Sequence, residues 1–242
     1  MKLIITIDVE EDNWGSYDRH NCSINNIGNI PKLQCLFDKY DIIPTYLINY
    51  PVANNNKAIK IFKEIIKYDK CEIGTHCHPW NTPPFYGPNG EKNSMLCNLP
   101  KDVQYNKLEC LHNLITDKFC MSPISFRSGR WGFDYTVAEN IYKLGYRYDT
   151  SITPFINWER EGGPDFSKID SNSYYIYNDI ENDDNNKYLL EIPATIGYCG
   201  LLRGNQDLCN RMHNLLKYDN IKQFKINTIM RLLYIYEKIW LS

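Results

Sequence analysis

In the stretch Glu72-Ile73-Gly74-Thr75-His76-Cys77-His78-Pro79-Trp80, a short apolar strand ends in a pair of histidines. Residues two apart in an extended segment point to the same side, so His76 and His78 face one way and Cys77 faces the other. Such a pair offers two imidazole nitrogens to one metal ion of the zinc class. Pro79 then ends the strand, because proline donates no hydrogen bond to a neighbouring strand. Two ordinary surface histidines are the alternative interpretation.

The first predicted strand also ends in polar side chains. Residues 2–9 form a nearly continuous β-branched run, as expected for a strand that is covered on both faces of a parallel sheet. Asp8 and Glu10 at its end share a face by the same two-residue rule, and Glu11 and Asp12 follow. Carboxylates at this end of a strand usually belong to a site, because their burial is costly without a cation or a donor. A solvated acidic loop is the alternative.

Apolar strands and amphipathic helices alternate along the chain, which predicts right-handed βαβ units and an α/β fold with a parallel sheet or barrel. The predicted strands are residues 2–9, 42–50, 72–78, 124–128, 146–152 and 188–194, and the predicted helices are residues 29–40, 58–68, 102–119 and 136–144. The long irregular segment 81–100 is predicted to be a functional lid. Residues 1–200 are predicted to form one domain, followed by a helical C-terminal segment, 201–242, with helices at 207–216 and 225–240.

Composition excludes several classes of protein. The 242 residues carry a formal net charge of −2 and are 43% apolar, which indicates a globular protein without a nucleic-acid or anionic-membrane partner. No apolar run is long enough for a membrane-spanning helix. The nine scattered cysteines predict reduced thiols and a cytoplasmic location. We find no P-loop, dinucleotide-binding glycine motif or serine-hydrolase elbow.

A glycine-containing turn follows the fourth predicted strand. The sequence Phe126-Arg127-Ser128-Gly129-Arg130-Trp131 places two arginines three residues apart beside a tryptophan. Guanidinium groups in this setting favour binding of an anion or a carboxylate. An arginine that only fixes a loop is the alternative interpretation.

In this order, the motifs resemble the polysaccharide deacetylase family, the NodB-type carbohydrate esterases, over residues 2–195. Thr6-Ile7-Asp8-Val9-Glu10 is similar to the first motif of the family, residues 72–80 to its metal-binding second motif, and Phe126-Arg127-Ser128-Gly129-Arg130 to its arginine motif. The resemblance implies a distorted (β/α) barrel. It also implies a metal-dependent hydrolase, acting on a non-peptide C–N bond, that removes an acetyl group from an N-acetylated sugar or polysaccharide.

The resemblance implies a role for each candidate residue. Asp8 would be the general base, and Arg127 would hold it in place. Glu10, His76 and His78 would bind a divalent metal ion, zinc, which activates water and polarises the acetyl carbonyl. The predicted substrate contacts are Trp80, Arg130 and Trp131, where the two indole rings would stack on the sugar.

Three departures from the family pattern qualify these roles. The histidines are two rather than four residues apart, which matches a variant His-x-His-Pro-Trp pattern, and the first motif is Asp-Val-Glu rather than Asp-Asp, so the roles of Asp8 and Glu10 are exchangeable. No strand carrying the general-acid histidine of the family follows residues 188–194, and His213 lies in a helical pattern typical of a surface residue. We therefore expect a shortened family member whose barrel is open at the C-terminal edge.

Loss of a general acid typically lowers a rate by about 100- to 10,000-fold, so low activity is expected. Two alternatives to the deacetylase remain open at this point. One is a catalytically impaired relative that serves as a sugar-binding or interaction domain. The other is a hydrolase of a non-carbohydrate amide, which would use the same metal chemistry.

Overall fold

The computed structural model describes residues 3–176, 189–199 and 237–241. Its main feature is a seven-stranded sheet. The strands are β1 (Thr6–Val9), β2 (Thr45–Ile48), β3 (Glu72–Cys77), β4 (Ser125–Ser128), β5 (Tyr148–Asp149), β6 (Tyr174–Ile176) and β7 (Leu189–Glu191). They are arranged in the order β1-β2-β3-β4-β5-β7-β6, and all neighbours are parallel except the pair β6 and β7.

The helices between the strands have sequence features that explain their bounds. They are α1 (Ile30–Lys39), α2 (Tyr50–Ala53), α3 (Asn56–Ile66), α4 (Lys101–Phe119) and α5 (Tyr135–Lys143). Asn55 caps α3 by accepting hydrogen bonds from the amides of Lys57 and Ala58. Asp134 caps α5 in the same way, at 2.8 Å from the amide nitrogen of Val137.

The core lies between the sheet and the helices, as the apolar character of the central strands requires. All four residues of β2 are buried. Phe62 of α3 contacts Tyr46 of β2 and Phe119 of α4, with ring centroids 5.3 and 6.5 Å apart. Two-sided burial of this kind is typical of parallel sheets. It leaves the loops at the carboxyl ends of the strands as the place where polar side chains gather.

The predicted α/β class is confirmed, and the sheet is not closed within the described residues. A separate antiparallel pair joins β8 (Thr195–Cys199) to β9 (Glu237–Leu241). The helix predicted for residues 225–240 is therefore wrong at its end, because a short apolar run fits either period and pairing with β8 decides between them. The rest of that helix, the helix at 207–216, His213 and most of the predicted segment 201–242 lie outside the described residues.

Two further differences from the predicted elements concern local structure. Residue 50 does not end a strand but begins α2, where the side chain of Asn49 accepts a hydrogen bond from the amide of Val52. The polar segment 155–187, whose pattern predicts a long insertion with a hairpin at 174–177, supplies β6, which extends the sheet beside β7. In the part of the chain that is described, no helix combines the length and the apolar character needed to cross a lipid bilayer.

Candidate metal centre

Three side chains converge at the carboxyl ends of β1 and β3. One carboxylate oxygen of Glu10, Oε2, lies 3.1 Å from Nε2 of His76 and 3.0 Å from Nε2 of His78. The two imidazole Nε2 atoms are 2.9 Å apart. Within the described residues, these three form the one cluster of histidine, cysteine and acidic side chains whose candidate ligand atoms all lie within 4.8 Å of one another.

The outer nitrogen of each imidazole indicates which nitrogen carries the proton. Nδ1 of His76 is 3.1 Å from the backbone carbonyl oxygen of Arg127, and Nδ1 of His78 is 3.1 Å from Oε1 of Glu11. Both of these oxygens are acceptors, so we assign the ring protons to Nδ1. Both Nε2 lone pairs then point at the carboxylate of Glu10. Three acceptors that face each other need a cation between them, and two nitrogens with one oxygen are a common donor set for zinc.

The electrostatics of the cluster favour a positive charge at this point. Burial alone would raise the pKa of Glu10, but when the imidazoles of His76 and His78 are protonated, their hydrogen bonds and charges lower it well below its usual range. Burial alone would lower the pKa of His78, but Glu10 and Glu11 outweigh it and raise the pKa to about 9. The carboxylates therefore stabilise a cation on this imidazole, and a metal ion competes with a proton for that place.

Asp8 lies beside the three converging atoms rather than among them. Its Oδ1 is 4.0 Å from Nδ1 of His76, on the side of the ring that faces away from Nε2. Arg127 of β4 donates a 2.8 Å hydrogen bond to the same oxygen. The guanidinium is itself fixed by Thr6 and by the carbonyl and hydroxyl of Thr150. The two acids of the first motif therefore have different surroundings, because Glu10 contacts both Nε2 atoms whereas Asp8 contacts Arg127.

No family model and no curated protein matches this sequence. Solved structures do. One, a "putative polysaccharide deacetylase" of Mycobacterium smegmatis, superposes with a TM-score of 0.51 at 13% identity, covering 79% of this chain and 58% of that one. The chain has the polysaccharide deacetylase fold. A second solved structure is a Streptococcus pyogenes deacetylase, with 15% identity and a TM-score of 0.44, covering 62% of this chain and 56% of that one. A third is a CE4 family pseudoenzyme of Bacillus anthracis, with 16% identity and a TM-score of 0.42, covering 65% of this chain and 45% of that one. The chain spans about half the length of these proteins.

The predicted resemblance to polysaccharide deacetylases is thus confirmed at the level of the fold. In this deacetylase fold, Glu11 is a site residue that we did not predict. It is 2% exposed and contacts His78 directly. Asn49 and Asn81 lie just after β2 and β3 and donate side-chain hydrogen bonds to the carboxylate of Glu11, a convergence that no motif or period of the sequence marks.

Trp80 is placed differently from its predicted role as a sugar-stacking residue. It is only 4% exposed. Its indole stacks on the imidazole of His78 at a centroid distance of 4.1 Å, and the ring of Tyr17 packs against it edge-on at 5.2 Å. The side chain that the sequence assigned to the substrate therefore supports a histidine of the deacetylase fold.

The other two predicted substrate contacts lie in the turn after β4. Arg130 and Trp131 both have left-handed backbone conformations, with φ of 52° and 59°, which is uncommon for residues other than glycine. Arg130 donates a 2.6 Å hydrogen bond to the hydroxyl of Ser94 and lies over the ring of Tyr17. Trp131 lies under the guanidinium of Arg127, 5.3 Å from its ring centre. Two residues in succession with this uncommon conformation place Trp131 on the guanidinium of Arg127 and direct Arg130 towards Ser94 and Tyr17.

The loop after β3 is fixed by a buried lysine. Lys107 of α4 is 1% exposed, and its ammonium donates hydrogen bonds of 2.8, 2.7 and 2.6 Å to the carbonyls of Pro79, Thr82 and Pro84. Burial lowers the pKa of this group to about 8, so it is still mostly protonated at neutral pH. Because three carbonyls share one cation, the segment that carries His78 and Trp80 is attached to the longest helix of the described chain.

Proposed function

We propose that this chain is a metal-dependent hydrolase that removes an acetyl group from an N-acetylated sugar or polysaccharide. The observation that carries the proposal is the convergence of Glu10, His76 and His78 next to a carboxylate that Arg127 holds. The deacetylase fold supports the substrate class. Hydrolysis of a non-carbohydrate amide would use the same residues in the same roles.

Glu10, His76 and His78 would hold the divalent ion, which we take to be zinc. Such an ion, when bound, polarises a carbonyl and lowers the pKa of water. The ligand oxygen comes from Glu10 because its carboxylate reaches both Nε2 atoms, whereas Oδ1 of Asp8 reaches only the outer nitrogen of His76.

Asp8 would act as the general base. Its side chain is 27% exposed, whereas that of Arg127 is 3% exposed, so the acid is accessible to solvent while its partner is buried. Arg127 donates one hydrogen bond to the Asp8 carboxylate, and its guanidinium is itself held in place by hydrogen bonds to Thr150 and Thr6. A carboxylate fixed in this way can accept a proton from an attacking water without first reorganising.

A second candidate is a saccharide-binding protein that does not turn its ligand over. The observation in its favour is that the remaining described histidines, His20 and His112, pack against Phe85 and Tyr146. Neither joins the cluster, so the described residues supply no histidine to protonate the departing amine. We therefore expect slow turnover from the proposed enzyme.

Metal analysis followed by a hydrolysis assay distinguishes the two candidates. The purified chain is loaded with zinc, its metal content is measured, and acetate release is followed with an N-acetylglucosamine oligomer. We expect about one ion per chain and acetate release above background. Oligomer binding with no acetate release would support the second candidate, and a chain that takes up no metal would refute the proposed enzyme.

Replacing Asp8 by Asn tests the division of roles between the two acids. We expect Asp8→Asn to lower kcat by about 100- to 10,000-fold while zinc content stays unchanged, since the amide cannot accept the proton. Glu10→Gln, in contrast, should lower zinc content. Asp117→Asn is the matched control, because Asp117 is an exposed residue of α4. If Asp8→Asn loses zinc as Glu10→Gln does, the assigned roles are wrong.

A further inference from the structure

Glu11 is the most completely hydrogen-bonded acid near the metal centre, and neither the predicted roles nor the proposed mechanism uses it. Its Oε1 accepts hydrogen bonds from Nδ1 of His78 at 3.1 Å, Nε1 of Trp80 at 3.2 Å and Nδ2 of Asn81 at 2.8 Å. Its Oε2 accepts one from the side-chain amide of Asn49. Four donors from the ends of β2 and β3 therefore surround one carboxylate.

We propose that Glu11 is a positioning residue of the metal centre, which orients the His78 imidazole and strengthens its Nε2 as a ligand. This inference rests on the proposed function, because it requires that the cluster binds an ion. The chemistry is that of a carboxylate–histidine–metal unit, in which the outer hydrogen bond fixes the tautomer and increases the basicity of the inner nitrogen.

Burial supports this role. The side chain of Glu11 is 1% exposed, and a buried carboxylate is costly unless positive charge or donors compensate it. Three of its four hydrogen-bonding partners are neutral N–H groups, from Asn49, Trp80 and Asn81. The fourth partner is the His78 imidazole. Among these four partners it is the one that can carry a positive charge to compensate the carboxylate of Glu11. A metal ion on Nε2 would supply that charge.

The imidazole of His78 is also restrained by its neighbours. Trp80 stacks on one face of the ring, with 25° between the planes, and donates its own N–H to Glu11. Glu11 thereby fixes both the rotation of the imidazole and the position of the ring that packs on it. Glu11 therefore accepts one N–H from each of the two stacked rings, those of His78 and Trp80. A residue that only filled space beside the imidazole would not make these two hydrogen bonds.

The two histidines differ in their outer partners, which gives the proposal its specific content. His76 donates Nδ1–H to a neutral backbone carbonyl, whereas His78 donates to a carboxylate. Hydrogen bonds to charged acceptors are about twice as strong as those between neutral groups. We therefore expect His78 to be the stronger nitrogen ligand of the pair.

The test is the metal affinity of the full chain with Glu11→Gln. Cobalt(II) is the probe, its absorption spectrum reports the ligand geometry, and competition with a chelator gives the affinity. We expect a loss of about 10- to 100-fold, as is typical when an outer-shell partner is removed. The control is Glu72→Gln, because the carboxylate of Glu72 lies at the other end of β3, where it accepts hydrogen bonds from the hydroxyls of Thr45 and Ser125. It should keep the wild-type affinity.

The outcomes separate this inference from the proposed function. If the wild-type chain binds no cobalt, the proposed function fails. If the wild type binds cobalt and Glu11→Gln binds it equally tightly, only the role of Glu11 fails. NMR of the zinc-loaded wild type gives a second test that does not depend on how the variant folds. We expect the His78 proton on Nδ1 with a hydrogen-bonded resonance, and a proton on Nε2 would overturn the inference.

Discussion

His76→Ala is expected to abolish zinc binding and, with it, acetate release. The substitution removes one of three ligand atoms that lie about 3 Å apart, and it leaves the carboxylate of Glu10 facing a single imidazole. Two ligands do not complete a zinc site, which normally uses three protein ligands and an open position. We expect an affinity loss larger than the roughly 10- to 100-fold typical of an outer-shell change. Metal content after dialysis and acetate release are the measurements.

His112→Ala is the matched control for this experiment. His112 lies on α4, contacts the ring of Tyr146 and is 3.3 Å from the hydroxyl of Ser122. The same substitution there should leave one zinc ion per chain. Should His76→Ala retain full zinc content, the ion would be bound elsewhere and our assignment of the centre would fail.

Gly129→Ala is the second substitution with a large expected effect. A methyl group at this position would overlap Cδ2 of the His78 ring and would lie 2.6 Å from the carbonyl oxygen of Cys77. The backbone oxygen cannot easily move, because Cys77 belongs to β3, so the imidazole has to shift. A displacement of about 1 Å can lower a rate by about 100-fold. Overpacking of this kind also destabilises a fold by about 1–3 kcal/mol.

The measurements are zinc affinity, acetate release and the free energy of unfolding in urea. Gly28→Ala is the control, because no atom of the described residues, apart from the adjoining backbone, lies within 4 Å of the methyl group it would add. It should change the free energy of unfolding by no more than about 0.5 kcal/mol and leave zinc affinity as it is. A Gly129→Ala chain with wild-type affinity and stability would contradict the close packing of this turn on His78.

The sequence could predict the parts of the site that depend on local geometry. The period of two along a strand places His76 and His78 on one side, and alternating strands and helices place the ends of parallel strands at one edge of a sheet. Those two rules are enough to expect Glu10 near both histidines. The α/β class follows from the same alternation of strands and helices. Assigning this class does not require knowing which helix packs on which strand.

The parts that the sequence could not predict depend on the path of the chain after a strand ends. β1 ends at Val9, so the period of two gives no reliable direction for Glu11, which turns inward to meet amides from two other strands. Trp80 follows Pro79, and the turn there folds its ring back onto His78 rather than towards solvent. Both placements result from tertiary contacts that leave no periodic signal.

The two histidines differ in how far their orientation depends on a particular amino acid. The guanidinium of Arg127 serves Asp8, but the group that orients His76 is its main-chain oxygen, which every amino acid possesses. The orientation of His76 therefore depends on the backbone of β4 and not on the side chain at position 127. The orientation of His78 depends on a particular side chain, that of Glu11, so a substitution at position 11 would misalign His78, whereas one at position 127 would leave the oxygen that orients His76 in place.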